Sequence, residues 1–416
     1  MASRPRGLRP APIGVRGGSR PGPPTVLVET AGVVWGSDAV AVTRRPHAPD
    51  RTSDWMVLPR FTTPRWLLPA RGPTTAAALV GPNDSGVRGA AARILAALHR
   101  TGAAHRLPVR RLRVPDPADG SLVSALVQMV GADCEVAIRL GSWEHARSLV
   151  VRLFDADGAT RAFGKVGIDE RGRSSVTAEA AALARVAELD LTHVVHSRVV
   201  HHEAWRDLEV LLVTPLLPPR PVVDDGPPVA AMRELAESGG ARTSTLAGSA
   251  WWSRVLLQLD ELANPTTTAE LRSHVDRLAQ ASGQLPVRLG PAHGDWTPWN
   301  MARAGSRVLL WDWEHFGEDV PVGFDLVHYL AQELRVASGT GPTAEARWLT
   351  LAADGLERHV GLGPEARDLV VAAYLLDVNL RFLLDRQGTP QADQQRRGWG
   401  RDLLRRRVAG LGSAPG

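Results

Sequence analysis

The chain has 416 residues, which is too long for one ordinary hydrophobic core, so two or three domains are expected. Five arginines precede the first acidic residue, Glu29, and the remaining 44 basic residues balance the 44 acidic ones, so the folded part lacks the excess charge that drives nucleic-acid binding. The single cysteine, Cys134, excludes an internal disulfide, and no apolar run reaches the ~20 residues that span a bilayer. We expect a cytoplasmic protein that binds neither nucleic acid nor a membrane; the oligomeric state is left open.

The amino-terminal third carries no chemical motif. Residues 1–24 are rich in arginine, proline and glycine, a composition typical of a disordered tail. Residues 25–133 are interpreted as an accessory region, either a cap packed on the following domain or an independent binding module. In this region the residue patterns predict an extended segment over 26–42, edge strands or loop anchors at 55–59 and 66–69, and helices over 85–101 and 121–130.

A sheet is predicted next, in residues 134–216. Alternating apolar residues indicate antiparallel strands over 135–140, 148–154 and 160–168. Lys165 lies in the third strand and is the only lysine among 49 basic residues. A chain that uses arginine almost everywhere is expected to use lysine where a compact ammonium group is needed and a planar guanidinium does not fit. Its apolar neighbours in the strand argue against a solvated surface position.

A helix is predicted after the third strand, capped by Ser174 or Ser175 and running to Leu189. Glu179 lies on its first turns, where a carboxylate can reach back to Lys165. The alternative interpretation is an acid that stabilises the positive end of the helix dipole. Two further strands, 193–201 and 208–216, run into a proline-rich crossover that ends this lobe.

Residues 217–416 are predicted to be mainly helical, interrupted by one strand and one polar loop. Strand 287–292 leads into His-Gly-Asp at 293–295, Asn300 follows after four residues, and Asp312 ends an apolar run. This layout brings a base for an attacking hydroxyl and hard oxygen ligands for Mg²⁺ to one point, as phosphoryl transfer requires. The predicted helices are 229–237, 247–262, 268–281, 324–336, 343–359, 364–386 and 392–411.

Residues 291–314 resemble the catalytic centre of the aminoglycoside phosphotransferase and choline kinase family, the small-molecule branch of the protein-kinase-like fold. That family carries His-Gly-Asp, four residues, then Asn, and a second Asp that closes the following hairpin. The resemblance implies an α+β fold of two lobes, with an antiparallel-sheet nucleotide lobe at 134–216 and a mainly helical catalytic lobe at 217–416. It also implies ATP as phosphate donor and Mg²⁺ as cofactor.

The resemblance assigns a role to each matching residue. Asp295 is expected to orient the acceptor hydroxyl and take its proton, while Asn300 and Asp312 hold the metal ions. Lys165 is expected to contact the α- and β-phosphates. Glu179 would hold this lysine in place.

Supporting positions follow from the same resemblance. His293 is expected to hydrogen-bond backbone around the loop, and Asp325 to steady that loop. No glycine-rich G-x-G-x-x-G motif stands between the first two strands of the nucleotide lobe, so Ser142 and Arg147 become candidates for covering the phosphates. Adenine is expected to contact the backbone of residues 214–216.

The acceptor is expected to be a small molecule with a hydroxyl group. Trp296 and Trp299 follow Asp295, and tryptophan faces suit sugar rings as well as quaternary ammonium groups. A sugar or glycoside is favoured, and choline or another amino alcohol stays open. An aminoglycoside would need an acidic pocket, to which Glu314, Glu318 and Asp319 could contribute. The alternative function is a non-catalytic kinase-like module that binds nucleotide or a regulatory partner.

Overall fold

The computed structural model describes residues 25–36, 41–43, 52–60, 63–70, 94, 97–98, 101, 110–115, 120–131, 133–140, 148–217, 226–283, 285–338, 341–387 and 400–411. The predicted tail at 1–24, most of the predicted helix at 85–101, and the two phosphate-covering candidates Ser142 and Arg147 lie outside the described residues. The three strands predicted for the nucleotide lobe lie inside them and are confirmed.

A nine-stranded antiparallel sheet dominates the first half of the chain. Its spatial order is β1-β4-β2-β3-β5-β6-β7-β10-β9. Alternation of buried and more exposed residues along β6 and β7 explains why these segments form strands with two different faces. The strands are β1 (Ala41–Thr43), β2 (Thr52–Arg60), β3 (Thr63–Pro69), β4 (Arg111–Pro115), β5 (Glu135–Leu140), β6 (Ser148–Phe154), β7 (Thr160–Gly167), β9 (Val199–Trp205) and β10 (Leu208–Val213).

The accessory region continues this sheet instead of forming a layer on top of it. Its strand β3 pairs with β5, the first strand of the predicted nucleotide lobe. The prediction that residues 55–59 and 66–69 are edge strands or loop anchors is wrong. Both segments are internal strands, because β2 lies between β4 and β3, and β3 lies between β2 and β5. Pro59 falls where the β2–β3 register shifts, and Pro69 is the last residue of β3. Both prolines thus occupy positions where a missing N–H interrupts little of the ladder.

Residues 26–42 are not one extended segment, contrary to the prediction. Helix α1 spans Thr25–Trp35, and β1 is a separate short strand. Leu27, Ala31 and Val34 recur at helical spacing and are fully buried. They join one apolar cluster with residues of β4 and of helix α2 (Leu122–Val130). Burial of this helical face outweighs the preference of the β-branched residues for strands.

Helix α3 (Glu170–Val186) covers the other face of the sheet. The predicted serine caps are wrong, because the Asp169 carboxylate accepts a hydrogen bond from the Gly172 amide at 2.8 Å and starts the helix one turn earlier. Lys165 pairs in register with Leu211 of β10, which packs in the same apolar cluster as α3. Lys165 therefore points toward the α3 side of the sheet.

The second half of the chain is mainly helical, and each predicted helix that starts inside the described residues is confirmed with small shifts of its ends. The helices are α4 (Val229–Glu237), α5 (Ala250–Asp260), α6 (Pro265–Ser282), α7 (Phe324–Ser338), α8 (Pro342–Gly355), α9 (Pro364–Asp385) and α10 (Arg401–Gly410). A short 3-10 turn, Leu246–Gly248, precedes α5, and a π-turn, Leu356–Val360, follows α8. The predicted last helix was placed to start at residue 392, and the described part of it starts at Arg401.

Two three-stranded sheets carry the polar loop. One contains β11 (Arg242–Ser244), β12 (Val287–Ala292) and β15 (Gly317–Pro321). The other contains the hairpin β13 (Met301–Ala304) and β14 (Arg307–Leu310), with β8 (Val194–His196) added in parallel to β14. The predicted strand 193–201 is thus two strands, of which β8 belongs to the helical half. This parallel pairing joins the two halves of the molecule.

The predicted fold class, an α+β fold with an antiparallel-sheet lobe and a mainly helical lobe, is confirmed by this architecture. The boundaries proposed for the domains stay a prediction. Among the helices that the structure describes, none combines the length and apolar character of a membrane span.

Gly290 provides a test of the packing that positions the polar loop. A Cβ at this position of β12 would lie 2.0 Å from the backbone oxygen of Ala236 in α4, and backbone cannot move away as a side chain would. We expect Gly290→Ala to lower the free energy of unfolding by about 1–3 kcal/mol. Urea unfolding followed by circular dichroism measures this loss.

The matched control is Gly410→Ala, because nothing lies within 4 Å of a Cβ at this exposed helical position. Alanine there should keep or slightly raise stability. Equal stability of the Gly290→Ala protein and the wild type would contradict the close approach of α4 and β12.

Candidate active site

The polar loop after β12 is fixed by a carboxylate from α7. Asp325 accepts hydrogen bonds from the backbone amides of His293 and Gly294, both at 2.9 Å. Gly294 has φ of +82°, and a Cβ there would lie 2.3 Å from the backbone oxygen of His315. Only glycine fits this left-handed turn and close approach. The expected support of the loop by Asp325 thus has a defined geometry, in which two amides are held at the start of the turn.

His293 is fully buried and bonds only to backbone among the described contacts. Its Nδ1 accepts from the Asp295 amide at 3.2 Å, so its Nε2 carries the proton and donates to the Trp311 oxygen at 3.2 Å. The ring also lies edge-on to Trp313, with ring centroids 4.7 Å apart. Burial lowers the pKa of His293, and nearby carboxylates do not reverse this. His293 thus links the backbone of the loop to the backbone of the hairpin, and its supporting role stays a prediction.

Asp295 lies between two hydrogen-bond donors. His328 Nε2 lies 2.9 Å from its Oδ1, and Asn300 Nδ2 donates to its Oδ2 at 2.7 Å. Burial alone would raise the pKa of Asp295, but the hydrogen bond and the charge of His328 outweigh it and lower the pKa to about 2. Asp295 is therefore ionised at neutral pH, with both carboxylate oxygens held in place.

His328 is a site residue that sequence reasoning missed. It lies on α7, three residues after Asp325, so both side chains leave the same helix face and reach the polar loop. Its Nδ1 contacts the hydroxyl of Tyr374 on α9 at 3.1 Å. A signal in the sequence could have revealed it. His328 follows Asp325 by three residues on a predicted helix, and Asp325 was already expected to support the loop.

Asn300 and Asp312 are joined by the backbone of the hairpin. The amide of Trp311 donates to the carbonyl oxygen of Asn300 at 3.1 Å, which places Asp312 next to Asn300. Asp312 has φ of +73°, a conformation that non-glycine residues rarely adopt and that is frequent at functional sites. The Asn300 amide nitrogen is used in hydrogen bonds to Asp295, which leaves its oxygen available for a cation.

Lys165 joins the sheet to this loop. Its ammonium lies 2.6 Å from Glu179 on α3 and forms an ion pair with Asp312, 147 residues further along the chain. Burial alone would lower the pKa of Lys165, but Glu179, Asp312 and Glu314 together raise it above its usual value. The structure thus brings together the lysine, glutamate and aspartate that the sequence assigned to one site.

Glu314 is a second residue of the site that the sequence did not predict to lie beside Lys165. It accepts a hydrogen bond from Ser175 of α3 and lies 4.0 Å from the Lys165 ammonium. Three carboxylates, Glu179, Asp312 and Glu314, therefore surround one lysine. Such an excess of negative charge is suited to a further cation.

The residues present fit Mg²⁺ bound together with phosphates. Mg²⁺ is usually held by one or two carboxylates and completed by phosphate oxygens and water, so it does not require a cage made of protein alone. The Asp312 carboxylate and the Asn300 side-chain oxygen are ligands of this type. Among the described residues, no group of three or more His, Cys, Asp or Glu could hold a metal ion by itself.

The two tryptophans that follow Asp295 have different environments. Trp296 is fully buried, and its indole N–H points at the sulfur of Met301, 3.3 Å away, so it packs the loop and offers no face to an acceptor. Trp299 is 44% exposed. Of this pair, Trp299 alone keeps an aromatic face available for a ligand.

Among solved structures, several small-molecule kinases are similar to this chain. A thermostable mutant of the aminoglycoside phosphotransferase APH(4)-Ia is 16% identical, with 70% of this chain and 100% of that chain covered and a TM-score of 0.46. A choline/ethanolamine kinase family protein from Mesorhizobium loti is 17% identical, with 69% and 90% covered and a TM-score of 0.41. A putative fructosamine-3-kinase from Thermobifida fusca is also 17% identical, with 71% and 99% covered and a TM-score of 0.42.

No protein-family model and no curated protein matches the sequence. The identities to these solved structures are too low to carry the activity of any of them over to this chain. The family that residues 291–314 resemble is also the family of the solved structures to which this chain is similar.

Proposed function

We propose that the chain is an ATP-dependent phosphotransferase that moves the γ-phosphate of ATP to a hydroxyl group of a small molecule. The observation that carries this proposal is the ion pair of Lys165 with Asp312, in a site that also contains Glu179 and the ionised Asp295. A lysine for phosphate, oxygen ligands for a divalent cation and a carboxylate for a hydroxyl are the parts that phosphoryl transfer uses.

Lys165 is the phosphate-binding group in this proposal. With nucleotide bound, its ammonium would exchange Asp312 for phosphate oxygens while Glu179 keeps it in place. Asn300 and Asp312 would hold Mg²⁺, which neutralises charge on the phosphates when bound. Because Glu179 is buried on α3, the position of the lysine depends on how α3 packs against the sheet.

Asp295 orients the acceptor hydroxyl. A carboxylate with a pKa of about 2 is a weak base, so it first accepts a hydrogen bond from the hydroxyl and takes the proton only as the new P–O bond forms. The bond between the γ-phosphorus and the oxygen that leaves with ADP breaks in the same step. His328 and Asn300 hold the two carboxylate oxygens, so that little reorganisation is needed during transfer.

The acceptor is proposed to carry a ring as well as a hydroxyl. Trp299 lies four residues after Asp295 and keeps an exposed aromatic face, which suits a sugar ring. This feature favours a sugar or glycoside acceptor.

Asp295→Asn tests the reaction itself. The amide removes the charge that receives the proton, so we expect turnover to fall by about 10²–10⁴-fold while Mg·ATP still binds. Acceptor-dependent ADP release is measured with sugars, aminoglycosides and amino alcohols, and nucleotide affinity by calorimetry. Asp354→Asn is the control, because Asp354 is a half-exposed residue of α8 that pairs with Arg358 on the same surface. Nucleotide binding by the wild type without turnover on any acceptor would favour a non-catalytic nucleotide-binding module.

Lys165→Arg tests the phosphate-binding group. Arginine keeps the charge but places a larger planar group between Glu179 and Asp312. We therefore expect kcat/KM for ATP to fall by about tenfold to 100-fold. The KM for ATP and kcat/KM measure the effect. Arg161→Lys is the control on the same strand, since Arg161 is exposed and pairs with Asp155. Unchanged kinetics of the Lys165→Arg protein would refute the assigned role.

His328 is proposed as a positioning residue for Asp295. His328→Leu removes one hydrogen bond to a charged carboxylate, so kcat should fall by about tenfold to 100-fold with little change in the KM for ATP. His328→Gln can still donate to Asp295 and should recover part of the loss. Equal losses in both variants, or a loss expressed only in the KM for ATP, would contradict this role.

A further inference from the structure

A cavity of about 130 Å³ adjoins Asp295 on the side of the helical lobe. Gly294, the residue before Asp295, lines it, and so does His328, which contacts the Asp295 carboxylate. The remaining walls come from α5, α7, α9, the ends of β12 and β15, and the segment after Asp312. This volume is below the roughly 300–1,000 Å³ of sites for drug-sized ligands, so the cavity admits a compact molecule or one part of a larger one.

Two arginines from different helices line the cavity, and one of them is held by both an ion pair and a hydrogen bond. Arg381 of α9 contacts Asp377 at 3.0 Å and donates to the backbone oxygen of Gly294 at 2.9 Å. The Asp377 carboxylate also accepts from the indole N–H of Trp251 at 2.8 Å. Asp377 is therefore shared among several donors, and Arg381 supports the loop that carries Asp295.

Arg254 of α5 has a weaker attachment. Its guanidinium approaches Asp377 only to 3.8 Å, beyond hydrogen-bond distance, and its side chain is 40% exposed. Burial lowers the pKa of Arg254, Asp377 opposes this, and the neighbouring Arg381 lowers the pKa further. The cavity therefore contains a guanidinium whose positive charge is only partly balanced by its described neighbours.

Gln258 adds a hydrogen-bond acceptor on the same helix face, one turn after Arg254. Its side-chain oxygen is buried and has no hydrogen-bond partner among the described residues, and Gln258 lines the cavity. A buried acceptor without a partner is costly, so this position is suited to a ligand donor such as a hydroxyl.

The acidic pocket that an aminoglycoside would need is not formed by the three candidate acids. Glu318 pairs with Arg185 at 2.6 Å, and Asp319 with Arg242 at 2.5 Å. Glu314 lines the cavity but is bonded to Ser175 and lies near Lys165. Among the described lining residues, each carboxylate already has partners in the protein.

We infer that this cavity binds the acceptor of the proposed phosphotransferase, and that the acceptor is a compact hydroxylated molecule with an acidic group, such as a sugar acid. This inference rests on the proposed function. Arg254 binds the acidic group, and Gln258 accepts a hydrogen bond from one hydroxyl. A second hydroxyl faces Asp295, loses its proton to that carboxylate and forms the bond to the γ-phosphorus of ATP, with ADP as the leaving group.

The test compares three hexoses with nearly the same skeleton: glucuronate with a carboxylate, glucose without charge, and glucosamine with an ammonium group. Calorimetry in the presence of Mg²⁺ and a non-hydrolysable ATP analogue measures binding, and ADP release measures kcat/KM. We expect the order glucuronate, glucose, glucosamine. Arg254→Gln should lower binding and kcat/KM for glucuronate by at least about tenfold and leave those for glucose nearly unchanged.

Two further variants keep the test decisive. Arg254→Lys retains a positive charge and should retain the preference for glucuronate, which separates a charge effect from a folding defect. Arg272→Gln is the matched control, because Arg272 is an exposed arginine of α6 that pairs with Asp260. Its thermal unfolding and kinetics should equal those of the wild type.

A preference for glucose or glucosamine, equal loss for glucuronate and glucose in Arg254→Gln, or no binding of any of the three would overturn the inference. A higher kcat/KM on a neutral or cationic acceptor than on glucuronate would do so while leaving the phosphotransferase intact. Failure of the proposed function has a different signature, namely nucleotide binding without turnover on any acceptor of the wider panel.

Discussion

The ion pair between Lys165 and Asp312 is the interaction on which the rest of the site depends. It connects a strand of the nine-stranded sheet to the hairpin of the helical half, and Glu179 completes it from α3. Three segments that are far apart in sequence therefore meet at one ammonium group. With Glu314, three carboxylates lie around this one ammonium group, and their excess negative charge favours a further cation.

Helix α7 supplies the second constraint, because it positions the polar loop through two side chains on one face. Asp325 holds the amides at the start of the turn, and His328 holds the carboxylate of Asp295. The same contact with His328 keeps Asp295 ionised against the effect of burial. One helix, α7, thus sets both the position and the charge of the proposed base Asp295.

The sequence predicted those parts of the molecule that are encoded locally or in a motif. Strands with alternating apolar residues and most helices of the second half were found, because their patterns lie within single segments. Asp295, Asn300 and Asp312 were singled out by their spacing and Lys165 by its isolation among arginines, and the family resemblance gave each its expected role. The structure brings these residues together, although their catalytic roles stay proposals.

The features that were missed depend on tertiary contacts. Helix α1 was read as extended because its β-branched residues favour strands, while its buried face against α2 decides the outcome. The position of β2 and β3 inside the sheet depends on pairing with distant strands, which a proline near a strand end does not reveal. His328 and Gln258 carry no motif, and only the folded chain places them beside Asp295 or in the adjoining cavity.

Phosphorus-31 NMR of the complete reaction tests the central claim most directly, because it identifies where the γ-phosphate goes. The protein is incubated with Mg·ATP and an acceptor, and the loss of the ATP resonances is followed together with the new signals. The account predicts a phosphate monoester that appears in step with ADP and does not appear with Asp295→Asn. Release of inorganic phosphate alone, or ester formation that persists in Asp295→Asn, would contradict it.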